Sequence, residues 1–358
     1  MPASNRPIIN GQASSPEPRT AFGQPPAPRR QRPWLLTGGA GYIGSHVVRA
    51  LLDAGERVVV LDDLSTGSSA RVPWGVPLVV ADVADRDAVR RALRAHEVGG
   101  VIHLAAKKSV PDSVAEPLGY YRENLVGLLS LLEAMRAEDV ERLVFSSSAA
   151  VYGTPLTDTV DELSPTLPQS PYGRTKLVGE WMVADACAAF DLAAVSLRYF
   201  NVVGCAEPAL ADNGGTNLFP LVLARMAAGE PVTVFGGDCP TPDGTCVRDY
   251  IHVADLARAH VAAARRTARN SGHEVFNVGC GQGHSVLEVL AEFGRNAGHE
   301  VAHVVAGRRP GDPASMVADA GKARTLLGGE PRFGLAEMVA DTWAAASVGV
   351  SAGAVQSR

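Results

Sequence analysis

From Trp34 onward the chain alternates two hydrophobic rhythms. Unbroken apolar runs stand at Trp34 to Thr37, Arg57 to Asp63, Val76 to Ala81, Gly100 to Ala106 and Arg142 to Phe145. Between them apolar residues recur every three or four positions, as at Val47, Val48, Leu51 and Leu52. A short continuous run bounded by turn residues reads as a strand buried on both faces, and the 3.6-residue rhythm reads as a helix packed on it. Helices are therefore predicted after the first run, over Asp85 to His96, over Pro117 to Arg136, and from Ser170, a favoured N-cap followed by Pro171 at the first helical position. Strands alternating with helices predict an α/β fold: a doubly wound parallel sheet of the Rossmann type, with ligands at the carboxyl ends of its strands.

Beyond Asn201 glycine- and proline-rich loops interrupt the alternation, as expected of a smaller C-terminal α/β substrate domain. The expected organisation is a Pro/Arg-rich tail over 1–33, a dinucleotide-binding domain over 34–200, a mainly substrate-binding domain over 201–346 and a fraying C-terminal tail over 347–358. The first segment holds eight prolines and five arginines against one glutamate, with hardly any apolar pattern, and reads as disordered.

The first strand runs into Gly38-Gly39-Ala40-Gly41-Tyr42-Ile43-Gly44. Gly39-x-Gly41-x-x-Gly44 is a dinucleotide fingerprint, and Gly38-x-x-Gly41-x-x-Gly44 meets the wider spacing; both bring a helix N-terminus up to a pyrophosphate. The second strand ends in Asp62 and Asp63. A carboxylate there bonds ribose hydroxyls and repels a 2′-phosphate, which favours NAD over NADP.

Tyr172 and Lys176 stand one helical turn apart, so they share a helix face. A nearby cation and the positive end of the helix dipole both favour a phenolate, and Tyr172 is expected to have a lowered pKa and to act as a base. The ordinary reading of such a pair is a half-buried tyrosine beside a snorkelling lysine; the glycine turn outweighs it. The cluster Ser146, Ser147 and Ser148 at the end of the fifth strand should face the same crevice, one serine chemical and the others structural. His103 and His252 sit in apolar runs and read as core histidines.

Composition narrows the class. The formal net charge of -5 argues against a general nucleic-acid surface. No apolar run reaches the ~18 residues that cross a bilayer, and no apolar leader is evident, so the expected location is the cytoplasm. The five cysteines form no Cys-x-x-Cys pair, and neither a metal nor a membrane partner is expected.

Five segments carry a family resemblance: Thr37 to Ser45, Ser146 to Gly153 (Ser-Ser-Ser-Ala-Ala-Val-Tyr-Gly), Ser170 to Lys176, Leu197 to Asn201 and Gly244 to Val253. Over Trp34 to about Ala346 the chain resembles the extended short-chain dehydrogenase/reductase family, and within it the UDP-glucose (UDP-galactose) 4-epimerases. The resemblance implies Tyr172 as base, Lys176 as its partner at the nicotinamide ribose, and Ser148 on the reacting oxygen. It implies NAD contacts from Gly38, Gly41, Tyr42, Ile43, Gly44, Asp62, Asp63, Asp82, Val83, Leu104, Ala105, Lys108, Asn124, Tyr172, Lys176 and Phe200. Asp63 stands where the family often has asparagine, and Ala106 where glycine is common.

For a UDP-sugar the candidates are Ser148, Tyr172, Asn201, Asn217, Phe235 on the uracil, Arg248 and Arg309 on the pyrophosphate, and Asp312 on a ribose hydroxyl. A guanidinium suits phosphate because it offers two parallel hydrogen bonds, although a single arginine is ordinarily a solvated charge. The implied reaction is reversible 4-epimerisation of a UDP-hexose with retained NAD, by a homodimer pairing the helices Pro117 to Arg136 and Pro171 to Ala189. Alternatives are another NAD-dependent nucleotide-sugar epimerase, dehydratase or decarboxylase, or a non-catalytic NAD-sensing regulator. Ala149 and Ala150 weigh against dehydratase and decarboxylase, whose relatives carry acids there. Met316 matches the family's gate for the sugar 2-substituent.

Overall fold

The computed structural model describes residues 32–355 apart from 213, 215, 216 and 310, with side chains up to residue 347. All but the last two residues of the expected N-terminal tail lie outside that range. Among the described residues fourteen strands are formed: β1 (Trp34–Thr37), β2 (Val58–Asp62), β3 (Leu78–Val80), β4 (Gly100–His103), β5 (Arg142–Ser148), β6 (Thr159–Val160), β7 (Ala193–Tyr199), β8 (Asn201–Val203), β9 (Val232–Phe235), β10 (Val247–His252), β11 (Gly272–Val278), β12 (Gly283–Ser285), β13 (His303–Ala306) and β14 (Ser315–Ala318). The helices are α1 (Tyr42–Asp53), α2 (Arg86–Ala95), α3 (Val110–Ala115), α4 (Pro117–Tyr121), α5 (Gly127–Ala137), α6 (Pro171–Ala189), α7 (Leu218–Ala228), α8 (Val253–Arg266), α9 (Val286–Ala297), α10 (Gly321–Leu326) and α11 (Leu335–Val355).

Seven strands make one parallel sheet in the order β11-β7-β5-β4-β1-β2-β3. The chain winds outward one way from β1 to β3 and then crosses back to β4, so the order reverses between β1 and β4. That reversal opens the crevice in which such sheets bind ligands. Because side chains alternate faces along a strand, Leu35, Val59, Leu61, Val101 and Leu143 pack on one side with α2, α5 and α6. Trp34, Leu36, Val58, Val60, Ile102 and Val144 pack on the other with α1 and α8.

The last serines of the cluster extend β5, which reaches Ser148 instead of stopping at Phe145, because Ser146 to Ser148 pair with Leu197 to Tyr199 of β7. The predicted helix Pro117 to Arg136 is interrupted. A π-helical turn, Arg122–Val126, separates α4 from α5, and such turns cluster at functional sites. α3 went unpredicted, although Ser109 caps it by accepting from the Asp112 amide and Pro111 sits in its first turn.

The segment 201–346 is not one piece in the fold. β11 and α8 complete the large sheet and its helical cover, while β8, β10, β12, β14 and β6 form a second sheet and β9 with β13 a two-stranded ladder. The α11 backbone continues past Ser347 to Val355. No helix among the described residues is long and apolar enough to cross a membrane.

Candidate active site

The glycine turn after β1 closes only with glycines. A Cβ on Gly44 would lie 2.1 Å from the Gly38 carbonyl oxygen, and one on Gly38, at φ +73°, would lie 2.7 Å from the Ala105 amide nitrogen. Gly41 is the N-cap of α1 and offers no side-chain cap, and the first turn carries no acid. The leading amides of α1 are thus left for an anion. Asp62, buried at the end of β2, fixes the turn by accepting from the Ala40 amide at 2.9 Å, and it also accepts from Leu64. Asp63 is exposed and bonds Ser65. This donor set, with a carboxylate one strand away, fits the pyrophosphate and ribose of NAD.

Other predicted cofactor residues line the same carboxyl edge. Leu104 and Ala105 follow β4, their amides bonded to Thr37. Tyr42 is buried and donates to the Gly204 carbonyl at 2.7 Å; Ile43 is half-buried beside the α1 core face. Val83 is buried, while Asp82 and Lys108 are exposed. Asn124, projected by the π-helical turn, donates to Lys107 O and Thr175 Oγ1 and accepts from Lys107 N. Contact therefore runs from Gly38 to Ala105, then through Lys107 and Asn124 to Thr175 on α6.

α6 begins as predicted, with the Ser170 hydroxyl accepting from the Gly173 amide. Tyr172 is buried, with Ser148 at the tip of β5 near enough to its phenol to lower the pKa as a hydrogen-bonding neighbour. Lys176 is buried too; its Nζ donates to the Ser146 carbonyl at 2.8 Å and lies 5.9 Å from the centre of the Tyr172 ring. Ser147 bonds Glu180, which holds a buried ion pair with Arg198 at 2.7 Å. The three serines thus divide, Ser148 facing the phenol and the others supporting.

One expectation is corrected. In the protein alone Tyr172 has a raised pKa, because desolvation of its phenol outweighs the lowering by Ser148, and Tyr120 adds to the rise. Burial likewise pulls Lys176 down to about 8. His103 bonds Thr37 Oγ1 at 2.7 Å and stacks on Phe145, and burial lowers it to about 3. His252 caps α8 by accepting from Ala254. Both histidines are core residues, as expected.

Of the predicted substrate residues, Asn201 and Arg248 lie on the second sheet and Phe235 on the ladder, while Arg309 and Asp312 follow β13 in a loop and Asn217 is the N-cap residue of α7. Arg248 on β10 pairs with Asp312 at 2.5 Å, and the Arg309 guanidinium lies 3.9 Å above the Phe235 ring. Asn217 does not point its amide to open space; it donates to Asp212 at 2.6 Å. Asn201 opens β8, paired with Tyr250 of β10. Met316 and Phe200 are buried in one cluster with Ala149, which ties this lobe to the Ser148 turn. Sequence reasoning missed Asp249, buried and accepting from Cys280, Gly281 and Ala318, with its carboxyl raised by burial to about 6. An acid inside an apolar strand is a signal that would have found it.

Residues 34–279 match the model of the NAD dependent epimerase/dehydratase family. A UDP-glucose 4-epimerase of Azospirillum brasilense is 46% identical over 303 residues, 83% of this chain and 87% of that one. A UDP-glucose 4-epimerase from Stenotrophomonas maltophila, solved with bound NAD and formylated UDP-arabinopyranose, superposes with a TM-score of 0.86 at 42% identity, covering 90% of this chain and 99% of its own. That of Bifidobacterium longum, in complex with NAD+ and UDP, gives 0.82 at 39%, covering 88% and 98%.

Proposed function

The chain belongs to the NAD dependent epimerase/dehydratase family, and we propose that its reaction is the reversible 4-epimerisation of a UDP-hexose, UDP-galactose to UDP-glucose. The observation that carries this reading is the convergence of Tyr172, Ser148 and Lys176 at the carboxyl end of β5, beside a turn whose residues are Ala149 and Ala150. The turn has no acid to move protons for loss of water. Bound NAD supplies a reversible hydride acceptor.

The protein's own residues do the rest. Tyr172 takes the proton from the sugar 4-hydroxyl and returns it, Ser148 steadies the oxygen, and Lys176 supplies the positive charge that favours the phenolate. Arg248, Arg309, Asp312, Asn217, Asn201 and Phe235 hold UDP, while the alanines leave the hexose unanchored and free to turn its other face. Asp62 anchors the cofactor's adenosine ribose beside the glycine turn. The domain division follows these roles, with NAD held by 34–200 and UDP mainly by 201–346, in a cytoplasmic enzyme. Incubating the protein with UDP-galactose and no added reductant tests the reading: UDP-glucose of unchanged mass is expected, and a product lighter by water or carbon dioxide, or none, overturns it.

Asp62→Asn is expected to weaken NAD by about 10- to 100-fold, the value of a hydrogen bond to a charged group. Calorimetric titration with NAD checks this, with a thermal melt to confirm that the glycine turn survives.

We also propose a homodimer. Val110, Val114, Leu118, Val126, Leu129 and Trp181 are exposed on α3, α4, the π-helical turn, α5 and α6, with Leu118 77% and Trp181 58% accessible. Large apolar groups concentrated on neighbouring helices mark an interaction surface. Leu118→Glu with Trp181→Glu is expected to sediment as a monomer where the parent sediments as a dimer.

A further inference from the structure

The loop between β9 and β10 holds two cysteines with no part in the reaction above. Cys239 and Cys246 are free and buried, and their sulfurs are 3.7 Å apart. The loop's own hydrogen bonds hold them there. The Cys239 amide donates to Gly244 O at 2.8 Å, Gly244 to Thr241 O, Thr241 Oγ1 to Thr245 O, and Thr245 to Asp243. Gly244 sits at φ +80°, where a Cβ would meet Gly237 O at 2.4 Å, so the tight loop is built into the sequence. A disulfide spans about 2.0 Å between sulfurs, so bond formation needs under 2 Å of further approach.

That approach pulls on residues assigned to UDP. Cys246 precedes Val247, whose amide bonds Ala314 O, and Arg248, which pairs with Asp312. On the other side Cys239 follows Asp238, which pairs with Arg308, the neighbour of the Arg309 that covers Phe235. The sulfur pair therefore stands in the loop that joins the two strands presenting Phe235 and Arg248.

We propose that Cys239 and Cys246 form a reversible disulfide that weakens UDP-sugar binding, a redox modification site resting on the assignment of Phe235, Arg248 and Arg309 to UDP. With a peroxide as oxidant the atoms balance. The Cys239 thiolate attacks one peroxide oxygen, breaking the O–O bond and releasing one water to leave a sulfenic acid. Cys246 then attacks that sulfur and expels the oxygen as a second water. Two thiols and one peroxide give one disulfide and two waters, and a dithiol reductant reverses the bond by exchange. Burial pushes the Cys246 thiol up to about 11.

The test treats the full chain with hydrogen peroxide, blocks remaining thiols with an alkylating agent and digests it without reductant. Both cysteines lie between Arg225 and Arg248 with no intervening lysine or arginine, so trypsin releases them on one peptide. That peptide is expected to be lighter by two hydrogens and unalkylated. KM for UDP-galactose and the calorimetric Kd for UDP are expected to rise at least about fivefold, the lower end of site-to-site coupling, with kcat little changed and dithiothreitol restoring both. Cys239→Ser and Cys246→Ser are each expected to keep the reduced protein's KM in peroxide. An unbridged peptide from folded, peroxide-treated protein overturns the proposal, as does a bridged peptide with unchanged UDP affinity. Absence of turnover in the reduced protein counts instead against epimerisation, and the peptide mass and UDP affinity still decide the disulfide.

Discussion

Tyr172→Phe is expected to cut conversion of UDP-galactose at least about 100-fold, the scale of a lost general base, while NAD and UDP bind as before. The change removes one oxygen and leaves the ring in its buried place on α6. What goes is the group facing Ser148. Burial makes this expectation sharper than the sequence did. A phenol whose pKa is raised by desolvation gives little base at neutral pH unless a cation is brought close, so its reactivity must arise with Lys176 and the bound ligands in place. Turnover should accordingly rise with pH in the parent across the phenol's titration, and the residual rate of the phenylalanine variant should lose that dependence. Single-turnover kinetics over a pH series measures both; a variant with near-parental turnover removes Tyr172 from the reaction.

The large sheet, the glycine turn and the start of α6 were legible because each is written locally. Apolar runs, a spaced set of glycines and a Ser-Pro cap need no knowledge of distant residues. Apart from α3, whose Ser109 cap is local, and Asp249, the features that were not legible depend on remote partners. β5 continues through its serines only because β7 is there to pair with them. The π-helical turn matters because it delivers Asn124 to Thr175, 51 residues along the chain. Glu180 and Arg198 are ordinary surface types in the sequence, and only the packing of α6 on β7 buries them as a pair. For the same reason the sign of the Tyr172 shift was missed: spacing on a helix reveals a neighbouring cation but not the loss of water around the phenol. The contacts of the two candidate arginines were hidden likewise, since Arg248 is paired with Asp312 and Arg309 lies on Phe235. UDP must enter a network that exists without it.

Lys176→Met is expected to lower turnover at least about 100-fold and yet to leave the fold slightly more stable. Lys176 is buried among Phe145, Tyr172 and the Ser146 carbonyl, with its pKa drawn down to about 8 by desolvation. A fall of roughly 2.5 units from the free side chain corresponds to about 3 kcal/mol of destabilisation carried whenever the ammonium is charged in the folded state. Methionine fills a similar volume without charge. Against that gain stands the Ser146 carbonyl, left without its donor at about 1–3 kcal/mol. The net is a gain on the order of 1 kcal/mol at neutral pH, or about 1–3 °C in Tm. The pH dependence is the more telling readout. Between about pH 8 and 10.5 the unfolded parent binds the lysine proton and the folded parent does not, so the Lys176 contribution to stability climbs through that window. In the methionine variant this climb should vanish. Urea unfolding at a series of pH values would show it, and a variant that keeps the parental slope would mean that Lys176 is not the desolvated cation on which the phenolate depends.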